Sequence, residues 1–415
     1  MNIRQAQLPK GWEIKKLGEV YDVRDGTHDS PIYVKEGYAL ITSKNLKNNR
    51  LNYDNVNYIT EQDYNNINKR SKVDIGDVLF AMIGTIGNPI VIIKEPDFAI
   101  KNVALFKIPK NQDSYFLKYY LDSGKVIDKM SKDAKGATQK FVGLGYLREF
   151  PIPIPPLPEQ QRIVAILDEA FAVIERSRNN AEQNLKNAKE LFESYLQGVF
   201  DPSTRSGQGK KGDGWEEKTI KEVCELKPQK KEARDKLRDT DLVTFLPMED
   251  LGVLTKEIVG IKEKQLKDVA GSYTYFADND VLLAKITPCF ENGKIGIARN
   301  LINGIGFGSS EYVVFRTLGQ IEPEYLYFFL SRNRIREEGR KYMSGAVGHK
   351  RISKDWIENY IIQFPKSLKE QQSIVSKLDA LRAETQKLEA VYQKKIKDLE
   401  ELKKSILQKA FEGEI

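Results

Sequence analysis

A chain of 415 residues with 40% apolar and 30% charged side chains is long for one core and too apolar for a disordered tail, so two or three globular units are expected. The 66 Lys and Arg against 59 Asp and Glu leave a net charge of +7, a mild surplus that favours a polyanion partner only weakly. Two distant cysteines, Cys224 and Cys289, exclude a disulfide framework and a cysteine-based zinc site, and two histidines, His28 and His349, leave little material for histidine chemistry.

In chain order, the first stretch mixes short apolar runs such as Val103 to Ile108 with Gly, Asn and Pro turn signals, which predicts an α+β unit. Within it Val78 to Ile93 comes closest to a membrane span. Gly84, Thr85, Gly87, Asn88 and Pro89 interrupt it, so it reads as two buried strands joined by a tight turn. No other stretch approaches a span, and a soluble cytoplasmic chain is expected. Pro151, Pro153, Pro155, Pro156 and Pro158 then form a stiff, extended exit. Beyond them Gly and Pro vanish for about 40 residues, and Ile163, Leu167, Ala170, Ile174, Ala181 and Ala188 recur at steps of three and four, which predicts a long helix with a coiled-coil seam. Arg205 to Gly214 is a polar connector. A second α+β stretch follows, closed by Pro365, and a second heptad stripe runs through Ile374, Leu378, Leu381, Leu388, Tyr392, Leu399 and Leu402.

The order repeats because the chain is written twice. Gly11-Trp12-Glu13 recurs as Gly214-Trp215-Glu216, and Asp77-Val78-Leu79 as Asp280-Val281-Leu282. Phe116 to Leu121 matches Tyr325 to Leu330, Gly136-Ala137 matches Gly345-Ala346, Glu159-Gln160-Gln161 matches Glu370-Gln371-Gln372, and Phe200 matches Phe411. The expected fold is therefore two similar α+β domains, 1–156 and 214–366, with helices at 157–201 and 367–415 and a linker at 202–213. Each helix would run roughly 60 Å at about 1.5 Å per residue, too long to lie on one small globule, so the two are expected to pair as an antiparallel coiled coil, the alternative being two separate helices that each dock on another subunit.

Basic residues outnumber acidic ones by 23 to 18 in residues 1–156, whereas residues 157–201 hold 5 against 8, so the globular units and not the first helix could meet phosphates. The surplus gathers in turn-rich stretches, around Gly136 to Gln139 and around Gly345 to Gly348. Catalytic signatures are missing. The segment Gly207 to Gly212 lacks the lysine of a phosphate loop, Gly304 to Gly308 has the wrong spacing for a dinucleotide turn, and Asp278 with Asp280 is an isolated carboxylate pair. Two unlike modules on one rod make a ruler with two reading heads, suited to a target with separated half-sites.

The motifs that carry a resemblance are Gly-Trp at each module start, Gly76-Asp77-Val78-Leu79 with Gly84-Thr85-Ile86-Gly87, Gly136-Ala137-Thr138-Gln139, and Ile154-Pro155-Pro156-Leu157-Pro158-Glu159-Gln160-Gln161-Arg162-Ile163-Val164. With the duplication, they make the chain resemble the specificity subunit of type I restriction-modification systems over nearly its whole length. The second copy departs from the pattern, with Phe364-Pro365-Lys366-Ser367-Leu368-Lys369 before its Glu-Gln-Gln and Gly345-Ala346-Val347-Gly348 for its loop.

The resemblance implies two target recognition domains that each read half of a bipartite, asymmetric site in double-stranded DNA. It also implies two helices that bind two modification subunits, with restriction subunits joining the larger complex. No cofactor is then expected on this chain: S-adenosylmethionine belongs to the modification subunit, and ATP and Mg2+ to the restriction subunit. The DNA-contacting residues expected are Lys44, Asn45, Thr138, Gln139 and Lys140 in the first domain, and Lys285, Lys294, His349, Lys350 and Arg351 in the second. Leu167, Ile174, Leu378 and Leu399 are the expected partner-binding positions on the helices. Two other classes stay open, a coiled-coil adaptor that binds proteins without reading DNA, and a Mg2+-dependent nicking enzyme.

Overall fold

The computed structural model describes residues 8–200 and 214–415, apart from Val259, Ile261 and Val347, and the linker expected at 202–213 lies outside them. The chain forms two compact units, one from residues up to 182 with 393–415, the other from residues 183–392. Among the described residues no helix is long and apolar enough to cross a membrane.

Each unit repeats one plan. In the first, strands Asp22–Asp25, Val103–Lys107, Val78–Ala81 and Gly87–Val91 lie in that order in an antiparallel sheet. The interrupted apolar run is thus a hairpin, with Val78 opposite Val91. The second unit builds the same sheet from Cys224–Leu226, Tyr312–Thr317, Val281–Ala284 and Ile295–Ile297. A second sheet follows in both, and there they differ. Its shared part is one parallel pair, Tyr38–Ile41 with Phe98–Ile100 or Leu242–Leu246 with Ile305–Gly308, plus one antiparallel neighbour. The fourth strand is Tyr33–Val34 on one edge in the first unit and Thr274–Ala277 on the opposite edge in the second.

The proline-rich exit is extended, as its residues require, and it is also paired: Pro151–Ile154 runs antiparallel to Glu13–Lys16. Prolines at alternate positions leave Ile152 and Ile154 to supply the N–H groups of that ladder. The long helices follow, Leu157–Phe200 and Leu368–Glu412, with Pro158 tolerated in the first turn, where its missing N–H has no partner to lose. They pair antiparallel. In the first unit Arg162 donates to the Ile415 carbonyl at 2.6 Å and the Lys403 ammonium lies 5.1 Å from the Phe171 ring centre. In the second, the Arg382 guanidinium lies 4.8 Å from the Phe192 ring centre. The small seam residues Ala181 and Ala188 are buried, as is Thr385.

One glutamine fastens each helix to its unit. The Gln160 amide is fully buried, accepts from the Asp113 N–H at 3.0 Å, and donates to Gln112 and to the Pro155 carbonyl at 2.9 Å each. Gln371 repeats the clasp, accepting from the Glu322 N–H at 2.9 Å and donating to the Gln320 and Pro365 carbonyls at 2.9 and 2.8 Å. Gln160→Leu keeps the volume and orphans these buried groups, so we expect a loss of about 2–4 kcal/mol in chemical denaturation. A loss under about 1 kcal/mol would show that water replaces the clasp.

Candidate nucleic-acid interface

Both units set the same two loops side by side. In the first, Gly84 donates to the Lys140 carbonyl at 2.9 Å and Val142 to the Met82 carbonyl at 3.0 Å, which lays segment 135–142 against the hairpin turn at 83–86. Lys135 and Phe141 exchange backbone bonds of 3.0 and 2.8 Å and pinch that segment into a closed loop. In the second unit Thr287 donates to the Lys350 carbonyl and Ile352 to the Lys285 carbonyl, both at 2.9 Å, and strands Met343–Ser344 and Arg351–Ile352 pinch the loop. The closure needs glycine at one corner. Gly136 has φ +101°, and a Cβ there would lie 2.2 Å from the Gln139 carbonyl oxygen; Gly345 has φ +125°, with His349 O at 3.0 Å.

The structure brings Thr138, Gln139 and Lys140 together, exposed, at the tip of the first loop, and His349 and Lys350, also exposed, at the second. Arg351 stands at the base of its loop, where its guanidinium grips Glu311 through two bonds of 2.9 and 2.7 Å. Lys285 is beside it, donating to the Ser310 carbonyl at 2.9 Å. Lys294 is elsewhere, its ammonium on the carbonyls of Met248 and Glu249 at 2.7 and 3.3 Å. Lys44 is exposed on the turn Ser43–Asn45, but the Asn45 amide is buried, accepting from the Thr42 N–H and hydroxyl and donating to the Asn52 carbonyl. Leu167, Ile174 and Leu378 are enclosed by this chain's own residues, and Leu399 is half-buried.

Two features went unweighted in the sequence. Leu46–Lys47 and Arg50–Leu51 form a hairpin whose turn residues, Asn48 and Asn49, have φ +51° and +59°, so an exposed basic tip of Lys47 and Arg50 projects beside Lys44. Paired asparagines before a basic residue are the available signal. The second unit has Met248–Asp250 at the matching place, and there Lys262 pairs with Asp250 at 2.8 Å. The other feature is His28. Its Nδ1 lies 2.7 Å from the Asn102 side-chain oxygen and its Nε2 2.8 Å from a carboxylate oxygen of the buried Asp25, which Arg70 also contacts.

Two oxygen partners suit an imidazolium that donates from both nitrogens, and these bonds, that to Asn102 foremost, raise the His28 pKa. The folded chain therefore binds this proton more tightly than an unfolded one. The stabilisation is complete below the ordinary histidine value of about 6.5 and fades as pH climbs through the raised value. The melting-temperature gap between the wild type and His28→Leu should shrink as pH rises from about 6 to 8.5. A gap that stays constant would refute the charged pair.

Residues 9–186 and 212–398 match the family described as Type I restriction modification DNA specificity domain. The chain belongs to this family. Among specificity proteins it is 25% identical to the putative type I restriction enzyme MjaX specificity subunit of Methanocaldococcus jannaschii over 429 residues, 99% of this chain and 95% of that one. It is 35% identical to the type I restriction enzyme EcoAI specificity subunit of Escherichia coli over 178 residues, 43% of this chain; the match spans only 29% of the EcoAI protein's length. Its fold is shared with the HsdS subunit from Thermoanaerobacter tengcongensis, with a TM-score of 0.60 at 20% identity covering 98% of each chain. A chain solved in work on complex assembly and conformational transition of the type I R-M system gives 0.73, also at 20% identity, over 98% of this chain and 99% of that one.

Proposed function

We propose that this chain is the noncatalytic DNA-reading subunit of a type I restriction-modification complex. Each unit reads one half of a bipartite, asymmetric site in double-stranded DNA, and the long helices dock two modification subunits, with restriction subunits joining the assembly. The observation that carries this reading is the loop pair built twice with unlike tips, Gly84-Thr85 beside Thr138-Gln139-Lys140 in one unit and Thr287-Pro288 beside His349-Lys350 in the other. Exposed backbone-pinned loops with amide, hydroxyl and cationic donors suit base edges and phosphates. Different donors at one scaffold position suit different half-sites. For the docking role, the exposed Val173, Leu191, Tyr195, Leu388, Val391 and Leu402 give the helices an apolar surface that the described residues leave uncovered. S-adenosylmethionine would then sit on the modification subunit, and ATP and Mg2+ on the restriction subunit.

The test exchanges residues 1–156 for the corresponding domain of another specificity protein and sequences the methylome of cells expressing the chimera with its modification subunit. One half of the methylated site should change while the other stays. A change in both halves would sink independent reading. A purified chain that binds its modification partner but never duplex DNA would favour the adaptor.

A further inference from the structure

The second unit holds a cleft of about 640 Å³ between the segment after strand Cys224–Leu226, the strand Thr274–Ala277 and the base of the loop at 351–357. Among the described residues five lysines line it and no carboxylate does. Lys230 is tied to the Gly271 carbonyl at 2.7 Å and Lys285 to that of Ser310, with Glu311 behind it at 4.0 Å, while Lys354 pairs with Glu358 at 3.2 Å. Lys227 and Lys231 are exposed and have no carboxylate partner among the described residues. Lys227 also has φ +63°, an uncommon conformation for a residue with a side chain. The pKa of Lys230 is lowered, by burial first and then by the like charges of Lys227 and Arg234. The other lining residues are largely apolar or aromatic, among them Tyr273, whose ring meets Phe245 edge-on with centres 4.8 Å apart.

A cationic rim over an aromatic wall selects a ligand with an anionic end and a flat apolar one, and the volume lies within the range of small-molecule sites. We propose that this cleft is a nucleotide site, with the phosphate among Lys227, Lys230 and Lys231 and the base against Tyr273. The nucleotide is either free or an extrahelical one of bound nucleic acid, since Lys285 belongs both to the cleft and to the candidate reading loop. Only the second source rests on the DNA reading above.

Calorimetric titration of the full chain with AMP, adenosine and inorganic phosphate is the test. AMP should bind at least about tenfold more tightly than adenosine or phosphate, because only it engages both walls. Lys230→Glu should weaken AMP by about tenfold or more, and Lys231→Glu, which breaks no hydrogen bond of the fold, should do the same. Lys35→Glu, in the other unit, should change nothing. Displacement of AMP by random-sequence DNA assigns the site to nucleic acid, and undiminished AMP binding in saturating DNA assigns it to a free nucleotide. Absence of AMP binding, or binding indifferent to both Lys230→Glu and Lys231→Glu, overturns the proposal. A chain that binds AMP but no DNA would defeat the DNA reading and leave the site standing.

Discussion

Phe411→Ala should destabilise the first unit by about 4 kcal/mol, although Phe411 lies almost at the other end of the chain. Its ring is buried and meets Phe116 and Tyr120 edge-on, each with ring centres 5.2 Å apart. Both partners sit on helix Ser114–Leu121, which closes the core over strands Val78–Ala81 and Val103–Lys107. Truncation removes the transfer energy of a whole phenyl group, opens a cavity and forfeits two edge-to-face contacts worth about 0.5–1.5 kcal/mol each. Phe200 does the same for the second unit, with Tyr325 and Phe329 at 5.0 and 5.6 Å, and its ring also faces the Arg332 guanidinium at 5.1 Å. Tryptophan fluorescence during chemical denaturation separates the two variants. Trp12 shares the core that Phe411 enters, whereas Trp356 packs on the core that Phe200 enters. Phe411→Ala should move the Trp12 transition, and Phe200→Ala the Trp356 transition. If Phe411→Ala cost under about 1 kcal/mol, the ring would be filling space and not closing the core. The corollary is that losing the last turns of the second helix destabilises the first unit.

That exchange of helix ends was half legible in the sequence. The repeat pairs Phe200 with Phe411 and Phe116 with Tyr325, and the heptads predict two long helices that pair. Periodicity reports which face of a helix is apolar, not which distant residue meets it, so the Phe411–Phe116 contact could not be read. The Glu-Gln-Gln motif stood out as a string, but its work lies in the first glutamine's bonds to groups earlier in the chain, at Gln112, Asp113 and Pro155 in one copy and at Gln320, Glu322 and Pro365 in the other. Composition likewise marks Asn45, Lys285 and Lys294 as donors in turns. Their partners are carbonyls or turn atoms brought near only by folding, and a lysine already holding two carbonyls cannot be told from a free one in a string of letters. Thr138, Gln139 and Lys140 were easier, because a glycine with positive φ closes their loop locally and leaves the tip in water.

Asp280→Ala should cost about 4 kcal/mol, and Asp77→Ala about half of that, although the two aspartates are counterparts. Each precedes the strand that leads to one loop of the pair, Val281–Ala284 before Lys285 to Thr287, and Val78–Ala81 before Ile83 to Thr85. Asp280 is 1% exposed and takes two bonds from Arg316, at 2.9 and 2.8 Å, plus the Ala277 N–H at 2.8 Å across a turn where Asn279 has φ +72°. Burial opposes the charge of Arg316, yet Asp280 and Glu232 hold its pKa above the ordinary range. Removing Asp280 leaves that cation with Glu232 alone, at 2.6 Å, and frees the turn. Asp77 takes the same turn bond, from the Asp74 N–H at 2.7 Å, but only a single contact from Lys107, which also reaches Asp74 at 2.5 Å. Both cations keep about a fifth of the side chain in water, so the difference lies in the two-bond grip of a rigid guanidinium against the point contact of a flexible ammonium. Adding Arg316→Met to Asp280→Ala should recover a good part of the loss, because the orphaned guanidinium goes with it. No recovery would put the whole cost in the turn, and equal losses at Asp77 and Asp280 would mean that the two-bond grip of Arg316 is worth no more than the single contact of Lys107.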